Sequence, residues 1–146
     1  MRLTAPVILL CDEQCTVLRD GVVDIDSAGR IGHIGPAAEA PVAPGPVRTL
    51  PGILMPGLVN AHAHTAMTGM RGLGGDLPLM RWLTEVIWPA GSRMDADDVR
   101  AAMLVGVVEM LRAGITTSVE MYFYNDAVVD AVNQIEAKRE AKVTAQ

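Results

Sequence analysis

Two of the chain's three histidines stand one residue apart, at the end of the apolar run "ILMPGLVNAHAH". If that run is a β-strand, His62 and His64 project to the same side, because alternate residues of a strand share a face. Two imidazoles side by side can chelate one divalent ion, and zinc accepts such nitrogens at about 2.0–2.1 Å. As an isolated tripeptide H-A-H is weak evidence. Its meaning depends on the elements that position it and on the partners that reach it.

The run is apolar on both faces, the mark of a strand in a parallel sheet covered by helices. A glycine-rich loop, "TGMRGLGGD", leads into a helix whose stripe is Leu79, Trp82, Leu83, Val86 and Ile87, with Pro89 as its stop. Asp95 offers an N-cap for a second helix, with Asp97 and Asp98 in its first turn and Gly114 as its C-cap. "ITTSVEMYFY" then reads as another strand over 115–123, with Thr116, Ser118, Glu120 and Tyr122 on one face. Strand, helices, strand is the start of a βα series. A final helix from Asn125 has Val128, Val129, Val132 and Ile135 for one face. Both lysines of the chain, Lys138 and Lys142, fall in its last nine residues. They mark either a solvated helix end or a native reading cut or replaced near residue 133.

Before residue 53 the pattern is different. "APVILL", "CTVLRDGVVDID" and "IGHIG" read as short strands separated by turns, ahead of the loop "PAAEAPVAPGPVRTL". His33, alone in its strand, reads as a surface or edge residue. Cys11 and Cys15 on an extended strand would share a face but lie too far apart for a comfortable disulfide. They read as two reduced thiols of a cytoplasmic protein. The apolar core of "MRLTAPVILLCDEQC" is short and acidic residues follow at once, which indicates a strand rather than a signal peptide. No apolar stretch reaches the roughly 18 residues that span a bilayer. A net charge of −5 argues against nucleic acid, whose affinity rests on Lys and Arg.

Several separated segments resemble one family in order and spacing: "LMPGLVNAHAHTAMTGMRGLGGDLPLMRWLTEVIWP" and, further on, "AGITTSVEMYF". They are similar to the amidohydrolase superfamily, most closely its methylthioadenosine/S-adenosylhomocysteine deaminases and related triazine and nucleobase aminohydrolases. The resemblance runs from about Pro6 to Tyr124. It implies an α/β chain: a small β-sandwich segment over residues 1–52, then residues 53–146 as the first part of a metal-dependent (β/α)8 barrel, truncated after about two strands. A full barrel needs about 250 residues.

The resemblance also assigns roles. His62 and His64 become two ligands of a zinc or iron ion, which makes water nucleophilic near neutral pH. The substrate is a small molecule, an adenine-nucleoside-like or other amino-substituted heteroaromatic ring, from which ammonia leaves. Trp88 lines the substrate pocket or fills a helix-end core. Glu120 stands where relatives carry aspartate, and accepts the spare N–H of a ligand histidine or serves as a surface charge. Arg71 braces its loop.

Two departures follow. After His64 the chain has no further histidine, so the family's third ligand and its later acid–base groups have no counterpart and the catalytic residues are unknown. The nucleoside-deaminating branch reads "IWPxE", where this chain reads "IWPAG". Gly91 removes the carboxylate implied to hold ribose hydroxyls, and Glu85 is either its surrogate or an exposed helical residue. The readings left open are an aminohydrolase fragment, an amidohydrolase acting on another C–N bond, and an inactive, self-associating truncated product that forms homo-oligomers.

Overall fold

The computed structural model describes the backbone of residues 1–144 and side chains through 138, so Lys142 lies outside the described side chains. Two compact units meet between Pro56 and Gly57. That boundary lies four residues beyond the expected one at 52/53. Ile53–Leu54 do not begin the histidine strand. They pair in parallel with Val7 and Ile8 of the first unit. Pro56 has no N–H to give a ladder, and a new strand starts after it.

The first unit contains β1 (Arg2–Leu9), β2 (Val17–Ile25), β3 (Ile31–Pro36), β4 (Val47–Thr49) and β5 (Ile53–Leu54). They form one mixed sheet in the order β3-β2-β1-β4, with β5 also on β1. Among the described residues this is a single sheet, not the two packed layers of the expected sandwich. Ala5, Ile8 and Val23 form its core, with Leu3, Leu18 and Leu54 packed against them. Buried Asp24 is held by Arg2 in a two-toothed ion pair, both contacts 2.7 Å. The guanidinium keeps the Asp24 carboxyl below the usual carboxylate range. Cys11 and Cys15 are exposed and lie in the β1–β2 turn, not on a strand. His33 sits partly buried on β3, opposite Asp24 in the ladder.

In the second unit β6 (Leu58–Ala63) and β7 (Ile115–Glu120) form a two-stranded parallel sheet, as the βα pattern predicts. β7 ends three residues short of the expected 123. Between the strands come a 3-10 segment over Thr65–Met70, α1 (Leu79–Arg81), a π-helical turn over Trp82–Ile87, α2 (Trp88–Gly91) and α3 (Ala96–Arg112). Pro89 does not stop the helix. It sits in the first turn of α2, where its missing N–H is tolerated. The turn before it is widened, with Trp88 N donating to Leu83 O.

α3 has the expected N-cap. Asp95 Oδ1 accepts from the N–H groups of Asp97 and Asp98, while Asp98 returns an acceptor to Asp95 N. At its other end Gly114 takes φ +81°, the left-handed position that follows many helices. Val99, Ala102, Met103, Gly106 and Val107 are the buried residues of α3, one stripe at helical spacing. A Cβ on Gly106 would collide with Thr65, so glycine is what lets the 3-10 segment lie against α3.

α4 (Asn125–Thr144) packs on the same core, through only part of the predicted stripe. Ala127 and Ala131 are buried, with Val128 and Ile135 against the cluster, whereas Val129 and Val132 are exposed. Small residues win the contact because they allow the two helices to approach closely.

Candidate metal and substrate site

The carboxyl end of β6 carries the histidines. His62 lies within the strand, and His64 follows it as the chain turns into the 3-10 segment, a turn closed by Met67 N donating to His64 O at 2.8 Å. The two rings meet edge to face, with Nε2 3.2 Å from Nε2. Both side chains thus point to one side, as the i, i+2 spacing requires. Two nitrogens bound at 2.0–2.1 Å with a tetrahedral angle between them would stand about 3.3 Å apart. The observed separation fits two imidazoles sharing one ion.

The end of β7 fixes the second ring. His64 Nδ1 lies 2.6 Å from Met121 O, so the proton belongs on Nδ1 and the Nε2 lone pair is left free. Met121 is itself held, its N–H donating to Ala63 O at 3.0 Å. This backbone clamp is invisible in residue types, and only the parallel register that sets Ala63 beside Glu120 reveals it.

Glu120 is near the pair but does not play the expected part. Its Oε1 accepts from Thr65 N at 3.0 Å and from Met121 N at 3.2 Å. Among the described residues no hydrogen bond joins it to either ring. The carbonyl of Met121 has taken the His64 N–H, and the carboxylate ties down the backbone on both sides of it. Its second oxygen, Oε2, is sequestered without a partner. Burial, and then the Glu120 charge, push the neighbouring Tyr122 phenol up.

His64 also forms part of the wall of a groove of about 1200 Å³, whose other walls include Trp82, Trp88, Gly91, Met94 and Tyr122. Trp88 is therefore a groove residue, 57% exposed, and not a helix-end core residue. Among the described residues no Asp, Glu, Lys or Arg lines this groove. Gly91 opens into it: an added Cβ would meet only Tyr122 Oη at 3.8 Å and Met70 Cε at 4.0 Å. Glu85 is not a surrogate for the missing carboxylate. It is exposed and gripped by Arg81 through contacts of 2.8 and 2.9 Å, which hold its carboxyl below the usual range. Arg71 braces its loop as expected, with both terminal nitrogens on Glu109 of α3 at 3.1 and 2.6 Å.

Among the described residues no cluster of three or more His, Cys, Asp or Glu side chains is arranged to hold a metal. Among the described residues the pair supplies two donors and a fixed tautomer, and the nearby carboxylate, Glu120, is engaged with the amides of Thr65 and Met121.

Comparison with known proteins extends this picture. A model described as the Amidohydrolase family matches residues 53–143. The 5-methylthioadenosine/S-adenosylhomocysteine deaminase of Symbiobacterium thermophilum is 48% identical over 121 residues, 82% of this chain and 28% of that protein. Among solved structures, an adenosine deaminase from Xanthomonas campestris with bound zinc superimposes with a TM-score of 0.82 at 36% identity, over 91% of this chain and 31% of that one. Atrazine chlorohydrolase from Arthrobacter aurescens TC1, complexed with zinc, gives a TM-score of 0.76 over 91% of this chain and 33% of that one. At 24% identity, that likeness concerns the fold alone. The chain thus spans about a third or less of the length of these relatives.

Proposed function

The chain belongs to the amidohydrolase family, and on that premise we propose that it is the N-terminal third of a (β/α)8-barrel aminohydrolase that removes an amino group from a heteroaromatic ring. The observation that carries the reading is the convergence of His62 Nε2 and His64 Nε2 at 3.2 Å, at the carboxyl end of a parallel strand. Chemistry in parallel α/β barrels is built at that end.

Zinc, or iron in its place, would be held by His62 and His64 and would supply Lewis acidity there, lowering the pKa of water toward neutrality. The protein's own contribution is orientation. Met121 O holds His64 in one tautomer, and Glu120 fixes the peptide groups of Thr65 and Met121. Trp88 and Tyr122 offer aromatic faces in the adjoining groove, suited to a flat ring. The names of the relatives point to an adenine nucleoside as substrate. Gly91 supports a second reading, an amidohydrolase acting on a ring or C–N bond without a ribose to hold, because no carboxylate lines the groove among the described residues.

Zinc titration of the purified chain, followed by calorimetry and elemental analysis, tests the metal reading. The expected result is saturable binding that weakens by more than about 100-fold in His62→Ala and His64→Ala, beyond what loss of a supporting group costs. Equal zinc binding by wild type and both variants would end it.

A further inference from the structure

We propose that Cys11 and Cys15 form a reversible disulfide across the neck of the β1–β2 turn. This rests on the first unit alone and is independent of the hydrolytic reading.

The ladder between β1 and β2 pairs Val7 with Arg19, Ile8 with Leu18 and Leu9 with Val17. It continues one step beyond the strands, where Leu10 N donates to Thr16 O at 3.1 Å. The next residues across are Cys11 and Cys15. Three more hydrogen bonds bracket them. Cys15 N donates to Asp12 O at 3.0 Å, and Thr16 donates its N–H and its hydroxyl to the two Asp12 carboxylate oxygens, each at 2.7 Å. Cys11 lies between Leu10 and Asp12, and Cys15 adjoins Thr16, so the closure that joins those neighbours also brings the thiol-bearing residues together. The Leu10–Thr16 bond on one side and the Asp12–Cys15 bond on the other close the neck at these two residues, the kind of approach that the roughly 4.4–6.8 Å Cα span of a disulfide needs.

The backbone turns sharply at both residues. Cys11 and Cys15 have φ of 55° and 51°, left-handed positions where glycine or asparagine sits with less strain. Both side chains are exposed, so a soluble oxidant can reach them.

The oxidant is a small-molecule disulfide such as oxidised glutathione. One cysteine thiolate attacks it, forming a mixed disulfide and releasing one glutathione thiolate. The second cysteine thiolate then attacks the first cysteine's sulfur in that mixed disulfide and expels the other glutathione as its thiolate. Two protein thiols are oxidised, one disulfide is reduced to two thiols, and the two protons pass to the departing glutathiones.

The test equilibrates the chain in glutathione buffers of graded ratio, traps free thiols by alkylation and measures intact mass. The expected product is a monomer two hydrogens lighter that takes up no alkylating agent. Its ratio to the reduced form should rise about tenfold for each tenfold rise in oxidised over squared reduced glutathione. Cys11→Ser should instead accumulate a glutathione adduct on Cys15. Asp12→Ala should lower the oxidised fraction about tenfold at fixed buffer by loosening the neck, since a preorganised pair closes more readily. Persistent glutathione adducts on the wild type, chain-to-chain dimers, no reaction in Cys11→Ser, or an unchanged ratio in Asp12→Ala would each overturn the proposal.

Discussion

At the scale of single residues, the site is a matter of which lone pairs are free. His62 and His64 share a face because of strand periodicity, but only the Met121 carbonyl decides which nitrogen of His64 is available. Glu120 acts one bond further out, on the amides of Thr65 and Met121. Its removal frees the Thr65 amide and leaves Met121 N held by Ala63 O alone, which lets the His64 ring drift. Glu120→Ala is therefore expected to weaken zinc binding by about 10–100-fold, while Glu120→Gln, which keeps an acceptor oxygen, stays closer to wild type. Calorimetric titration of both variants checks this. Equal affinity in Glu120→Ala and wild type would remove Glu120 from the site.

At the scale of elements, the second unit rests on α3 packing the 3-10 segment and α4 against one core. The contact face of α4 is decided by small residues. Ala131 is completely buried, so Ala131→Leu forces extra methylenes into a filled space and should cost about 1–3 kcal/mol. Val129 is 55% exposed, and Val129→Ser should stay within about 0.5 kcal/mol of wild type. Urea unfolding followed by circular dichroism distinguishes them. A larger loss for Val129→Ser than for Ala131→Leu would mean that the valine face is the packed one.

At the scale of the molecule, two consequences follow. The first is acid sensitivity. Arg2 holds the Asp24 carboxyl low, and backbone amides do the same for Asp12 through Thr16 and for Asp26 through Arg30. Carboxyls depressed by folding contribute stability that is fully present above their unfolded value of about 3.9 and is lost as pH falls through their folded values. Urea midpoints should therefore fall below about pH 4, and less steeply in Asp24→Asn. An equally steep fall in that variant would remove Asp24 as a cause. The second follows from the proposed barrel reading. Val59 of β6 and Val119 of β7 are 62% and 55% exposed, as strands awaiting further neighbours would be. Two imidazoles are one short of the three protein ligands that catalytic zinc sites generally use. The isolated chain should release no ammonia from methylthioadenosine or adenosine and should associate as concentration rises. Coupled ammonia assay and size-exclusion chromatography measure both. Turnover above a His62→Ala control would show that two ligands suffice.

Much of this was legible in residue order, because local chemistry acts within a few residues. The i, i+2 histidines, the Asp95 cap, the Gly114 terminus and the parallel pairing of β6 with β7 all follow from spacing, propensity and the βα pattern. The distinctive motifs around the histidines also placed the chain in its family. What tertiary structure alone decided depends on contacts between distant segments. Ile53–Leu54 join the first sheet because β1 offers them an open edge. Ala127 and Ala131 take the buried positions, with Val128 and Ile135 beside them and Val129 and Val132 left exposed, because closeness of approach outweighs hydrophobicity. The turn between β1 and β2 carries the cysteines that an extended strand would have kept apart. Glu120 binds backbone because a carbonyl from the neighbouring residue had already claimed the imidazole proton, and no pattern in one strand can report what the end of another has left unpaired.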